Sequence, residues 1–181
     1  VSAPDARVDE RALRRTLGTF VTGVTVMTTT GGDGSPVGVT ANSFCSVSLR
    51  PPLVLWCLAR DSSSLDNFTH AGGFAVNILG EHQAALSERF ATRGHPNRFE
   101  DVAFTRGVDG APLINGCAAH LQCRTLNVAE AGDHVIIQGE VVAISDWGRP
   151  SLVFSRGGYA RLRPHPHMRP LAPEPYFLTA F

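Results

Sequence analysis

The readable pattern starts at Asp9, a residue type that caps helices. Ala12, Leu13, Thr16, Leu17 and Phe20 then fall on an approximate helical stripe that ends near Gly18. The period changes after that. Residues 20–30 (FVTGVTVMTTT) are dense in β-branched side chains, residues 31–35 (GGDGS) form a turn, and residues 36–41 (PVGVTA) return, which predicts a hairpin. Residues 43–49 lead to Pro51-Pro52, and the apolar run 53–58 (LVLWCL) predicts a buried strand. Asp61-Ser62-Ser63-Ser64 reads as a helix start, with a short helix over 65–70 closed by Gly72-Gly73. Residues 74–79 (FAVNIL) predict another strand, and residues 81–91 a helix with Leu86 and Phe90 four apart. A loop-rich segment with His95-Pro96 and residues 107–112 follows. Two long strands, 118–128 and 134–145, are predicted around a turn at 130–133, and 152–154 and 159–162 flank Gly157-Gly158.

Strands dominate, and the short helices do not alternate with them in the rhythm of a doubly wound sheet. The prediction is a mainly β protein, a Greek-key-like or up-and-down barrel with short peripheral helices. Its 181 residues suit one domain, with a core over about 9–163. Five of the twelve prolines lie in the last eighteen residues, so 164–181 is predicted to be an extended arm.

Composition narrows the chemistry. Sixteen basic residues balance sixteen acidic ones, which removes the charge footprint of a nucleic-acid binder. All sixteen are Arg. The absence of Lys excludes Schiff-base and pyridoxal-phosphate chemistry anchored on Lys, and a P-loop. No apolar run approaches the ~18–20 residues of a membrane span, and the first residues lack a signal-peptide core. Cys45, Cys57, Cys117 and Cys123 form no C-x-x-C pair and are expected to be small buried hydrophobes in a reducing cytoplasm. No dinucleotide fingerprint, zinc-binding motif or serine elbow is present, and His165 and His167 between prolines are not expected to hold metal.

Three polar features remain. The stretch 40–48 (TANSFCSVS) reads either as an irregular strand crossing or as a hydrogen-bonding wall for a flat polar heterocycle. Arg60 with Ser62, Ser63 and Ser64 reads either as plain capping or as a phosphate site. Gly132-Asp133-His134 reads either as a structural turn or as a ligand contact on a barrel rim.

In order and spacing these pieces resemble the short-chain flavin reductases, the reductase components of two-component flavin-dependent monooxygenases. The carriers are residues 20–26 (FVTGVTV), 40–44 (TANSF) running into 46–48 (SVS), 51–54 (PPLV) and 74–79 (FAVNIL), then Gln83, Phe90-Ala91, Arg98-Phe99, Gly132-Asp133-His134 and Gly157-Gly158-Tyr159. The resemblance covers about residues 9–163. It implies an FMN-binding split β-barrel, a homodimer, and hydride transfer from NADH to FAD, with FMN possible. It further implies delivery of diffusible reduced flavin to a monooxygenase or halogenase in the cytoplasm. Flavin carries that chemistry, so no catalytic dyad is expected. By the same resemblance Thr40, Ala41, Asn42, Ser43, Ser46, Val47 and Ser48 lie along the flavin ring and ribityl chain. Ser62, Ser63 and Ser64, with Arg60 or Arg98, hold phosphate; Asn77, Gln83, Phe90 and Phe99 surround the phosphates or the adenylate end. His134 and Tyr159 face NADH. The alternative on this barrel is a flavin carrier or sensor without turnover.

Overall fold

The computed structural model describes residues 8–163. The predicted arm 164–181, with His165 and His167, lies outside the described residues. In chain order the strands are β1 (Thr22–Gly23), β2 (Thr25–Thr30), β3 (Pro36–Ala41), β4 (Cys45–Leu49), β5 (Pro52–Ala59), β6 (Gly73–Ile78), β7 (Phe104–Arg106), β8 (Pro112–Ile114), β9 (Ala119–Ala131), β10 (His134–Asp146), β11 (Val153–Ser155) and β12 (Gly158–Ala160). The helices are α1 (Glu10–Leu17), α2 (Leu65–His70) and α3 (Ala84–Ala91). Asp9 caps α1 as its residue type predicts, its Oδ1 accepting the Ala12 N–H at 2.6 Å.

Seven strands form one antiparallel sheet in the order β3-β2-β6-β9-β10-β5-β4. Its two edge strands, β3 and β4, are consecutive in the chain and joined only by residues 42–44. So short a connection spans at most about 14 Å at ~3.5 Å per residue, so the sheet must curl until its edges meet. No β ladder joins those edges among the described residues. Instead Ser43, in the connection, ties the end of β3 to β5: its Oγ accepts the Cys57 N–H at 2.9 Å and donates to the Cys57 carbonyl at 3.1 Å. The result is a barrel with a split.

Both faces of the central strands are buried, which explains why 25–29 and 74–77 lack simple alternation. Met27, Trp56, Phe68, Phe74 and Ile137 fill one cluster, where Trp56 meets Phe68 edge-on at 4.9 Å between centroids. Val26, Leu79, Phe90, Ile114 and Leu152 fill the other. Gly139 lets Phe74 lie on β10, since a Cβ there would stand 2.6 Å from its ring.

Two predicted elements are corrected. The strand 20–30 breaks at Val24, because β1 pairs with β11 while β2 pairs with β3 and β6. The segment 104–114 holds a small hairpin, β7 with β8, too short to show a period in sequence. It is fastened to the barrel by polar contacts, among them Thr28 Oγ1 donating to the Pro112 carbonyl at 2.5 Å. The cysteine expectation is half corrected. All four are free; Cys117 and Cys123 are buried, and desolvation pushes both thiols up to about 12. Cys45, by contrast, is exposed on the edge strand, and Cys57 is half-buried.

Candidate functional site

The split opens into a cleft of about 420 Å³, within the ~300–1,000 Å³ of small-ligand sites. The end of β3 and the following turn supply Thr40, Ala41, Asn42 and Ser43 to one wall, and β5 supplies Cys57, Leu58 and Ala59 to the other. Ser62 and Ser63 lie at one end with Arg93 and Arg98, Phe90 lies against the wall, and His134 enters from the start of β10. Three sequence features far apart in the chain thus meet in one place.

The hydroxyls are not equally free. Thr40 Oγ1 donates to the Ser87 carbonyl at 2.7 Å, and Ser43 Oγ is taken by Cys57. The Asn42 amide makes no side-chain hydrogen bond among the described residues and is exposed to the cleft. Ser62 Oγ accepts the Ser64 N–H at 3.2 Å, and Ser64, the residue before α2, makes no side-chain cap. Plain capping therefore accounts for Ser62 alone.

Charge separates the arginines. Arg60 turns away to Glu130 at 3.3 Å and lines no part of the cleft, so the expectation that it faces phosphate is corrected. Arg93, which sequence reasoning missed, makes a two-pronged pair with Asp61 at 2.8 and 3.0 Å. That hydrogen bond, and then the guanidinium charge, holds the Asp61 carboxyl below its usual range. Arg98 has no carboxylate partner among the described residues. Its Nη1 and Nη2 donate to the Gly38 and Thr92 carbonyls at 3.2 and 2.9 Å, and its buried Nε has no partner. A half-buried guanidinium whose charge no carboxylate among the described residues meets is suited to an anion.

Other expected contacts lie elsewhere. Asn77 is fully buried: its Nδ2 donates to the Val26 carbonyl and Thr28 Oγ1, both at 2.9 Å, and its Oδ1 accepts the Ile114 N–H at 2.7 Å. Both side-chain polar atoms are spent tying β6 to β2 and β8, so the expectation of a ligand contact there is corrected. Gln83 is likewise spent, Oε1 on the Gly80 N–H and Nε2 on the Asn115 carbonyl, both at 2.9 Å. Ser46, Val47 and Ser48 sit on β4, at a bulge against β5, and do not reach the cleft within one chain. Ser64 and Phe99 line a neighbouring hollow of about 480 Å³ that shares Arg98 with the cleft. Phe99 packs edge-on against Phe90 at 4.9 Å.

His134 Nδ1 lies 2.8 Å from the Asp133 carboxylate, which orients the ring, and that bond first, then the charge, lowers the Asp133 carboxyl. Tyr159 lines a side chamber of about 200 Å³ that shares Thr40, Asn42 and Ala91 with the cleft. Its hydroxyl donates to Ser87 Oγ at 2.9 Å. Cys57 is a cleft residue that sequence alone hid in an apolar run, and desolvation raises its thiol, which stays neutral. The arrangement suits a flat polar heterocycle with an anionic tail, and a second planar group near His134 and Tyr159. Among the described residues no cluster could hold a metal ion, and no helix is long and apolar enough to cross a membrane.

The family model described as flavin reductase like domain matches residues 17–163. The chain belongs to that family. Among its relatives is a probable flavin reductase of Rhizobium meliloti, 48% identical over 151 residues, covering 83% of this chain and 48% of that protein. Another is the reductase component of a flavin-dependent trigonelline monooxygenase of Acinetobacter baylyi, 44% identical over 159 residues, covering 88% and 51%. The chain spans about half the length of these two curated relatives. A solved structure of an NADH:FAD oxidoreductase of Streptomyces globisporus, in complex with NAD and FAD fragments, matches with a TM-score of 0.83 and 40% identity. That alignment covers 92% of this chain and 99% of the other. The flavin reductase fold is the split barrel seen here.

Proposed function

We propose that this flavin reductase family member is an NADH:flavin oxidoreductase that takes FAD, with FMN as a second substrate, and releases reduced flavin to a separate flavin-dependent monooxygenase or halogenase. The observation that carries the reading is the cleft in the barrel seam, which gathers the Asn42 amide, the unpaired Arg98 guanidinium and His134 in a chain of this family. Bound flavin would supply the hydride acceptor, so the protein need only place and exclude.

In this reading residues 40–43 meet the polar edge of the ring through Asn42 and backbone groups. Leu58, Ala59 and Phe90 offer it apolar surface and keep water away. Ser62, Ser63 and Arg98 hold phosphate. His134, oriented by Asp133, and Tyr159, fixed on Ser87, contact NADH. Ser43 works through position, keeping the seam at one width. The relatives named as a monooxygenase reductase component and as an NADH:FAD oxidoreductase support the partner and the substrates. Exposed Leu13, Leu17, Phe20 and Val21, on and after α1, support a homodimer. Four free cysteines support a reducing, cytoplasmic setting.

The test is to mix the protein with NADH and either FAD or FMN and follow NADH absorbance. Flavin-dependent NADH loss, faster with FAD, is the expected result. Flavin binding without NADH consumption would replace this reading with that of a carrier.

A further inference from the structure

A further cavity, of about 450 Å³, lies at the end of β10 opposite His134. Its lining includes Ser145, eleven residues along β10 from His134. This cavity shares no lining residue with the cleft. No step of the proposed reaction uses it.

Its lining is unusually well supplied with chemistry. His120 is 5% exposed, and its Nε2 lies 2.9 Å from the Ile114 carbonyl. A carbonyl can only accept, so Nε2 carries the proton and Nδ1 presents a lone pair. Burial, against the smaller opposing effect of that carbonyl, lowers the imidazole's proton affinity and keeps the ring neutral. Trp147 stands edge-on to His120 at 4.8 Å between centroids and is 47% exposed. The Arg149 guanidinium lies 5.7 Å from the Trp147 ring centroid and donates to the Cys117 carbonyl at 3.1 Å. It has no carboxylate partner among the described residues. The side chains of Thr105, Asn115 and Ser145, which complete the polar lining, make no hydrogen bond among the described residues.

These groups make complementary demands. The guanidinium calls for an anion, preferably a planar carboxylate. The imidazole lone pair calls for an N–H or O–H donor, and the half-exposed indole calls for a flat apolar ring. From this juxtaposition we propose that the His120–Trp147–Arg149 cavity is a second ligand site, for a small aromatic carboxylate bearing a ring amine or hydroxyl. The carboxylate meets Arg149, the ring lies along Trp147, and the donor reaches His120 Nδ1.

Calorimetric titration with 4-aminobenzoate tests this. Binding is expected for the unaltered protein, with affinity lower by about tenfold for Arg149→Gln, an exposed position that leaves the fold intact. Benzoate, which lacks the donor, and aniline, which lacks the carboxylate, should each bind weaker by about five- to tenfold. Arg98→Gln, in the cleft, should bind 4-aminobenzoate as the unaltered protein does. No heat of binding at millimolar probe, equal affinity for Arg149→Gln, benzoate matching 4-aminobenzoate, or loss of binding in Arg98→Gln would each overturn the assignment.

Discussion

Gly38→Ala tests how tightly the cleft is built into the core. Gly38 lies in β3 with Phe90 of α3 laid against it. An added Cβ would stand 2.5 Å from Phe90 Cε1, 2.8 Å from Cδ1 and 3.2 Å from Phe99 Cζ. Carbon atoms rest at about 3.5–4.0 Å, so the overlap is roughly 1 Å. Phe90 cannot swing away cheaply. It is fully buried, Phe99 holds it edge-on at 4.9 Å, and Phe104 backs Phe99 at 5.4 Å. Overpacking of this kind costs about 1–3 kcal/mol. Taking roughly 2 kcal/mol, Tm should fall by about 4–8 °C for a chain of this size. Flavin affinity should fall with it, because Phe90 lines the cleft and the Gly38 carbonyl accepts from Arg98. Gly32→Ala is the matched control: its Cβ would meet nothing within 4 Å. It should hold Tm within about 2 °C. Thermal melts followed by circular dichroism read both variants. Coincident melting of Gly38→Ala and Gly32→Ala would refute the packing argument.

Arg98→Gln should raise the flavin Kd by about tenfold in a fluorescence titration, while Arg60→Gln, whose charge is met by Glu130, stays within about twofold; equal effects would undo the distinction. His134→Ala should raise KM for NADH by about tenfold and leave flavin affinity within about twofold, and unchanged NADH kinetics would remove His134 from the site. His120 binds its proton less readily folded than unfolded, because burial holds it below its usual 6.5. Its contribution to stability is therefore complete above about pH 6.5 and declines as pH falls below that value, until the folded imidazole also titrates. Urea midpoints should show this acid slope and lose part of it in His120→Gln. Alkylation of the native protein followed by mass spectrometry should label Cys45 and then Cys57, and reach Cys117 and Cys123 only on unfolding.

Much of this architecture is written in local pattern, and the parts that are not share a cause. The helix stripe from Asp9, the 31–35 turn and the long 118–145 hairpin depend on neighbours in the chain, and each forms as its pattern predicts. The arginines do not behave that way. Arg60, Arg93 and Arg98 look alike in sequence, and what separates them is the carboxylate each finds in space: Glu130 for the first, Asp61 for the second, none for the third among the described residues. Asn77 carries the same lesson in reverse. A polar residue inside the apolar run FAVNIL invites a ligand, yet Val26, Thr28 and Ile114 use up its hydrogen bonds. The cleft itself is hidden by a short connection. Three residues between two strands ordinarily predict a paired hairpin. Here β3 and β4 end up on opposite edges of the sheet, because β3 pairs only with β2 and β4 only with β5. Ser43 then occupies the Cys57 N–H and carbonyl that a neighbouring strand would have bonded. That exchange of one ladder step for one hydroxyl keeps the barrel closed at a point while leaving it open beside that point. The opening is where Asn42, Arg98 and His134 converge, so the seam and the site are a single structural feature.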